Sequence, residues 1–204
     1  MKSIRAVMMM GLLWGGAALA AKGEADMRGL TVSVGGGVEG YSGELAPRLD
    51  AGATYGATLT AKPSRVLGFE LGYTGAVNTI DLGAGSSAAT NPQLVRNGGQ
   101  AVATLGLTAS PIQPYILGGV GVNRYNVRKG GDALGYRDDT AGAIPMGAGV
   151  RFYSGSIVAD LRGSYNLLFS EEFAPESRIN TDPNNTNFAS GGTFNGTLNV
   201  GATW

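Results

Sequence analysis

The chain has 204 residues, room for one domain and little more. Lys and Arg total 15, as do Asp and Glu, and a neutral chain with so few charges has no electrostatic footprint for nucleic acid. Cysteine and histidine are absent, which removes disulfides, thiolate chemistry, most metal sites and most triad-type general bases. We therefore expect no cofactor, no metal and no catalytic residue, and do not expect an enzyme.

Residues 1–20 read as an export signal. Lys2 and Arg5 precede an uncharged, mostly apolar run, and Ala18-Leu19-Ala20 fits a small-x-small cleavage pattern. The run falls short of the roughly 20 residues a helix needs to span a bilayer, so cleavage is expected. Residues 21–28 would then form a short periplasmic segment and 29–204 the folded domain.

From residue 29 onward the hydrophobic pattern has period two, as in strands whose side chains point alternately to opposite faces. In 30–41, Leu30, Val32, Val34 and Val38 oppose Thr31, Ser33, Glu39 and Tyr41. In 49–61, Leu49, Tyr55, Ala57 and Leu59 oppose Asp50, Thr54, Thr58 and Thr60; in 66–78, Leu67, Phe69, Leu71 and Tyr73 oppose Glu70, Thr74 and Asn78. In 100–109, Ala101, Ala103 and Leu105 oppose Gln100 and Thr104. The segment 114–126 has no clear phase before Arg124, which we assign to the polar face. In 143–153, Ile144, Met146, Val150 and Phe152 oppose Arg151; in 157–169, Ile157, Leu161, Leu167 and Phe169 oppose Asp160, Arg162 and Asn166. The last segment places Phe194, Leu198, Val200, Ala202 and Trp204 against Thr193, Asn195, Thr197 and Asn199. Eight strands are predicted. Short links at 62–65, 110–113 and 154–156 alternate with longer ones at 42–47, 81–97, 127–141 and 170–191. This asymmetry matches transmembrane barrels, with short periplasmic turns, long outer loops and, for an even strand number, both termini periplasmic.

A soluble lipocalin-like calyx also alternates. Its interior, however, would be lined by large apolar groups, and here the polar face carries Thr, Asn, Gly and charges of both signs. Aromatics also gather near strand ends: Tyr41, Tyr73, Tyr125, Tyr165 and Phe169 towards the loops, Phe69, Tyr115, Phe152 and Trp204 towards the turns. Two such girdles suit the two headgroup layers. The expected fold is an all-β, eight-stranded antiparallel up-and-down transmembrane barrel.

Two local features carry a family resemblance. The stretch from Pro114-Tyr115 to Gly119 and Gly121 resembles the Pro-Tyr-x-x-x-Gly-x-Gly strand of the small OmpA/OmpX-type outer-membrane barrels. The final run Leu198, Val200, Ala202 and Trp204 is similar to the C-terminal signature read by the barrel assembly machinery, with Trp in place of the usual Phe. The resemblance implies an outer-membrane location in a Gram-negative bacterium, outer-membrane lipid and lipopolysaccharide as surroundings, assembly by that machinery, and loops open to an extracellular or periplasmic protein partner.

The residues singled out for function are charges on the polar faces. Glu39, Asp50 and Arg124 are expected near the loop end of the lumen, and Glu70, Arg151, Asp160 and Arg162 in its lower half. Charges enclosed in a narrow lumen must be paired or wet, so we expect a plug of Arg151 and Arg162 against Glu70 and Asp160. The leading functional expectation is a structural or surface-interaction barrel with a largely plugged lumen. A narrow channel for small solutes or ions is the alternative, and a soluble calyx the third. Arg96, Arg128, Lys129 and Arg137 are assigned to the loops, where they suit either lipopolysaccharide phosphates or plain solubility. The acidic stretch 170–191 fits no calcium-loop spacing and is expected to be a solvated surface.

Overall fold

The computed structural model describes residues 27–81, 92–129, 135–170, 172–174 and 190–204. The expected export signal and most of the acidic link 170–191 lie outside these residues. Eight strands follow in chain order: β1 (Gly29–Tyr41), β2 (Gly52–Lys62), β3 (Leu67–Thr79), β4 (Gln93–Gly106), β5 (Ile112–Arg128), β6 (Asp139–Ser154), β7 (Ile157–Phe169) and β8 (Gly192–Thr203). Each pairs antiparallel with its neighbours, and β8 returns to β1 to close the barrel. The seam is completed by two backbone hydrogen bonds, Leu30 N to Trp204 O and Trp204 N to Leu30 O, both 3.0 Å. The backbone of Trp204 therefore completes the pairing of β8 with β1.

Three strands run further towards the loops than the sequence pattern predicts. β4 begins at Gln93, β5 continues to Arg128 and β6 begins at Asp139, held by pairs such as Gln93↔Arg128 and Arg124↔Thr140. The polar, glycine-containing runs at 93–99 and 139–142 have no hydrophobic alternation to announce a strand. They are strands because a paired neighbour satisfies their backbone groups. Conversely, the first link is longer than expected: β2 starts at Gly52, and residues 43–45 form a single 3-10 turn. The turn before β5 spans 107–111. The tightest turn, Gly155-Ser156, has Gly155 at φ +57°, the positive φ that a two-residue hairpin of type II′ needs at its first position.

The barrel is inside out relative to a soluble protein. Leu71, Val120, Leu161 and Val200 are among a continuous set of exposed large hydrophobics on the outer wall, while Thr31, Thr54, Thr60, Glu70, Asn123 and Arg151 are buried. An apolar belt of this extent marks a lipid-facing surface and argues against the soluble calyx. Near the loop end, four outward glycines are roofed by a ring from the next strand: Gly40 by Phe194, Gly75 by Tyr55, Gly142 by Phe169 and Gly192 by Tyr165. A Cβ at any of them would collide with the ring, so the glycines let the upper aromatics lie flat against the wall. The lower girdle is formed by Phe69, Phe152 and Trp204, all exposed.

Tyr41, Tyr115 and Tyr125 depart from the expected girdles: all three are buried inside the barrel. Tyr41 and Tyr125 join Leu45, Leu49, Ile80, Leu94, Tyr136, Leu168 and Phe173 in an apolar cluster that fills the loop-side mouth. The rings of Tyr125 and Phe173 stack with centroids 4.1 Å apart. Leu49, assigned by alternation to the outer wall, is part of this cap because it lies before β2 begins. At the opposite mouth, Met27 is buried against Tyr153 and Val158.

Candidate functional site: charged layers across the lumen

The lower half of the lumen holds a compact charge cluster. Glu70 points inward from β3, Arg151 from β6, and Asp160 and Arg162 from β7. Alternation puts all four inside, and the pairs Arg151↔Asp160 and Thr60↔Glu70 bring them to similar heights. Arg162 Nη2 lies 2.8 Å from Glu70 Oε2 and 3.1 Å from Asp160 Oδ2. Arg151 Nε lies 3.2 Å from Asp160 Oδ2, and Arg151 Nη2 pairs with Glu70 Oε1. Two acids and two bases thus form a closed, neutral ring of ion pairs.

Tyr115 lies at the centre of this ring. Its hydroxyl donates to Asp160 Oδ1 at 2.7 Å and accepts from Arg162 Nε at 2.9 Å. The Arg151 guanidinium carbon sits 4.4 Å from the ring centroid, a cation–π distance. Gly149 makes room for the ring: a Cβ there would come within 2.6 Å of the Tyr115 hydroxyl. Just below, Lys62 Nζ donates to Gln113 Oε1 at 2.6 Å and to Tyr153 Oη at 2.9 Å.

The upper charged layer differs from the sequence expectation. Glu39 is there, but Asp50 and Arg124 are not. Asp50 lies outside β2 and is exposed, its backbone N donating to Thr79 O at 2.9 Å. Arg124 points outward, because β5 turns Gln113, Tyr115 and Asn123 inward and the even-numbered residues out. The base that meets Glu39 is Arg96, which the sequence pattern leaves in a loop. It forks onto the carboxylate with Nε at 3.0 Å and Nη2 at 2.5 Å, and its Nη1 donates to Thr74 Oγ1 and Asn123 Oδ1, each at 2.9 Å. A bidentate pair with its remaining donors spent is the strong form of this contact.

Across both layers no ion-pair side chain is more than 9% exposed. Between them lies a cavity of about 40 Å³ with neutral lining groups such as Ser33, Thr54, Gln100, Ser164 and Asn199. That volume suits a few waters. With the apolar cap above and Met27 below, the lumen is crossed by side chains at successive heights.

A signal for the missed residues existed. Counting back from Gln100 in steps of two gives Gly98 and Arg96 on the polar face. Tyr115 and Asn123 share the parity of Gln113. Phase failed on β5 because both of its faces carry apolar residues and glycines, so one charge decided the assignment, and that charge lies above the apolar band.

No protein-family model and no characterised protein matches the chain by sequence. Solved structures do match. Neisserial surface protein A superposes with a TM-score of 0.56 at 18% identity, covering 86% of this chain and 97% of that one. The N-terminal barrel of Pseudomonas aeruginosa OprF gives 0.50 at 12% identity, covering 87% and 98%. Ail, the attachment invasion locus protein of Yersinia pestis, gives 0.50 at 10%, covering 87% and 99%. The chain has the fold of the small OmpA/OmpX-type outer-membrane barrels. At these identities the likeness is one of architecture. Its topology is that of an outer-membrane barrel, with both described ends of the chain at the short-turn side.

Proposed function

We propose that this barrel is a closed, non-catalytic component of the outer membrane whose loops serve surface interaction. The observation that carries this reading is the pair of buried charge layers, Glu39–Arg96 above and Glu70–Arg151–Asp160–Arg162 below. Each spans a lumen that eight strands leave just wide enough for side chains to fill. The three acids are buried and ion-paired with arginines, so none of the carboxylates has the access that general acid–base work requires. The chain has no histidine to take that part. The apolar cap holds the bases of the loops on a packed core, a rigid platform for a partner protein.

The second reading, a narrow channel, is favoured by the polar cavity between the layers. Single-channel recording in a planar bilayer separates the two. We expect no steady conductance from the unmutated protein. Small openings are expected from Arg162→Ala, where the ring of pairs is broken, and none from Arg137→Ala in the outer loops. A large steady conductance that is the same in the unmutated protein, Arg162→Ala and Asp160→Ala overturns the closed lumen in favour of the channel.

A further inference from the structure

The outer wall carries a feature that the lumen does not explain. On β4 the outward positions from Gly99 through Ala101 to Ala103 bear almost no side chain. Their partners on β3 are Tyr73, Leu71 and Phe69, and those on β5 are Val122, Val120 and Gly118. A Cβ at Gly118 would meet nothing within 4 Å, and one at Gly99 only a carbonyl oxygen at 4.0 Å. The result is a trough with β4 as floor and apolar walls on two sides, closed below by Leu105. β3 and β5 stand two strand spacings, about 9.6 Å, apart and the trough runs for about 13 Å, which fits one hydrocarbon chain lying along β4.

The loop-side end of this trough is polar. Asn97 faces outward next above Gly99, and Arg124 is its partner on β5. The hydroxyls of Tyr73 and Tyr55 donate to Asn97 Oδ1 at 2.6 and 3.3 Å. Two donors on the carbonyl oxygen fix the amide, and its NH2 has no hydrogen-bond partner among the described residues. Arg124 is exposed. Asp138 lies near enough to feel the charge of Arg124, but its carboxylate oxygens are hydrogen-bonded instead by Val127 N at 2.8 Å and Asn126 Nδ2 at 3.0 Å. Twelve residues separate Ile112, at the turn end of β5, from Arg124. At about 3.3 Å rise per residue and a tilt near 40°, that is about 30 Å along the membrane normal, just past an apolar band about 25 Å tall. The cation therefore stands at headgroup height, directly above an apolar trough.

We infer that the outer face of β3–β5 is a binding site for one phosphorylated, acylated glycolipid of the outer leaflet. Its acyl chain lies over Gly99, Ala101 and Ala103, and its phosphate meets the Arg124 guanidinium and the Asn97 amide. A charged donor and an amide N–H suit a phosphate. A second patch of small residues on the same wall makes a useful contrast: Ala148, Gly163 and Gly196 lie side by side across β6, β7 and β8, with the rings of Tyr165 and Phe194 above and no cation there among the described residues. The site rests on the barrel standing in the outer membrane and not on a closed lumen, so this inference and the conductance test can fail separately.

Native mass spectrometry of the purified barrel in neutral detergent tests it, with lipid A carrying both phosphates as probe and the same lipid after dephosphorylation as its control. One phosphorylated lipid should be retained per barrel. Arg124→Gln should lower its affinity about tenfold, the scale of one charged hydrogen bond lost, and Ala101→Phe should lower it as well by filling the trough. Arg124→Lys should retain most of it, and Ala148→Phe should change nothing. Heat-modifiable gel migration reports folding of each variant, and Ala103→Leu replaces Ala101→Phe if the larger ring prevents insertion. Equal retention of dephosphorylated lipid, or retention unaltered by the trough and Arg124 variants, overturns the inference. So does a barrel dimer lost in Ala101→Phe, which would assign the trough to a second copy of the chain.

Discussion

The Glu39–Arg96 pair shows how much a single enclosed side chain decides. Removing one partner of a buried pair strands the other charge and costs about 3–5 kcal/mol, less where water can reach it. Glu39→Ala and Arg96→Ala should therefore each lower the urea midpoint of unfolding, and the double variant should lose less than the sum of the two. A double-mutant cycle read by gel mobility checks this, and strict additivity of the two single changes would mean that the pair is not coupled. At the loop surface, Asp138 accepts hydrogen bonds from the Val127 amide and the Asn126 side chain, and these hold its carboxyl below its ordinary value of 3.8. A carboxylate with a lowered folded pKa contributes its stabilisation at neutral pH and loses it as pH falls through the folded value. The protection of the Val127 amide against hydrogen exchange, taken relative to its intrinsic rate at each pH, should accordingly fall at acid pH in the unmutated protein. In Asp138→Asn it should be low already at neutral pH.

At the scale of the strand, inward glycines are spaces reserved for long side chains. Gly149 on β6 leaves room for Tyr115 on β5, and Gly106 on β4 leaves room for Gln113, whose amide a Cβ would approach within 2.5 Å. Tyr115 on β5 bridges Asp160 and Arg162 on β7 and lies against Arg151 on β6, so displacing its ring disturbs three strands at once. Gly149→Val should destabilise the barrel by about 1–3 kcal/mol, the usual cost of overpacking. Gly163→Val faces open space on the outer wall and should cost far less. Comparing their unfolding midpoints in the same detergent checks the difference. Similar losses at both positions would rule out lumen packing as the cause, since valine has a higher strand propensity than glycine.

For the whole molecule, the barrel's sidedness follows from its links. Turns 63–66, 107–111 and 155–156 share an end with both described chain termini, and the links after β1, β3, β5 and β7 share the other. Epitope tags in the links after β3 and β5 should be reached by antibody on intact cells. Tags in 107–111 should be reached only after the outer membrane is opened. Folded protein with the opposite pattern would invert the barrel. The apolar cap joins Leu45, Ile80, Tyr136 and Phe173 from different links into one core, so the loop-side mouth is packed and not merely overhung.

Strand number, the alternation of long and short links and the inside-out polarity were all legible in the residues alone. They follow from a local rule: side chains two apart share a face, and glycine, proline and polar clusters mark turns. The lower cluster of Glu70, Arg151, Asp160 and Arg162 was legible for the same reason, since each residue lies in a strand with clear alternation. Arg96, Tyr115 and the outward turn of Arg124 were not. Their strands either continue past the last hydrophobic residue or carry small and apolar groups on both faces, so no local pattern fixes the phase. Only the pairing of neighbours decides it: β5 extends β4 to Gln93 and thereby turns Arg96 inward onto Glu39, a residue 57 positions away. Closure of the ring, a non-local contact, sets which charges are enclosed and which reach the lipid headgroups.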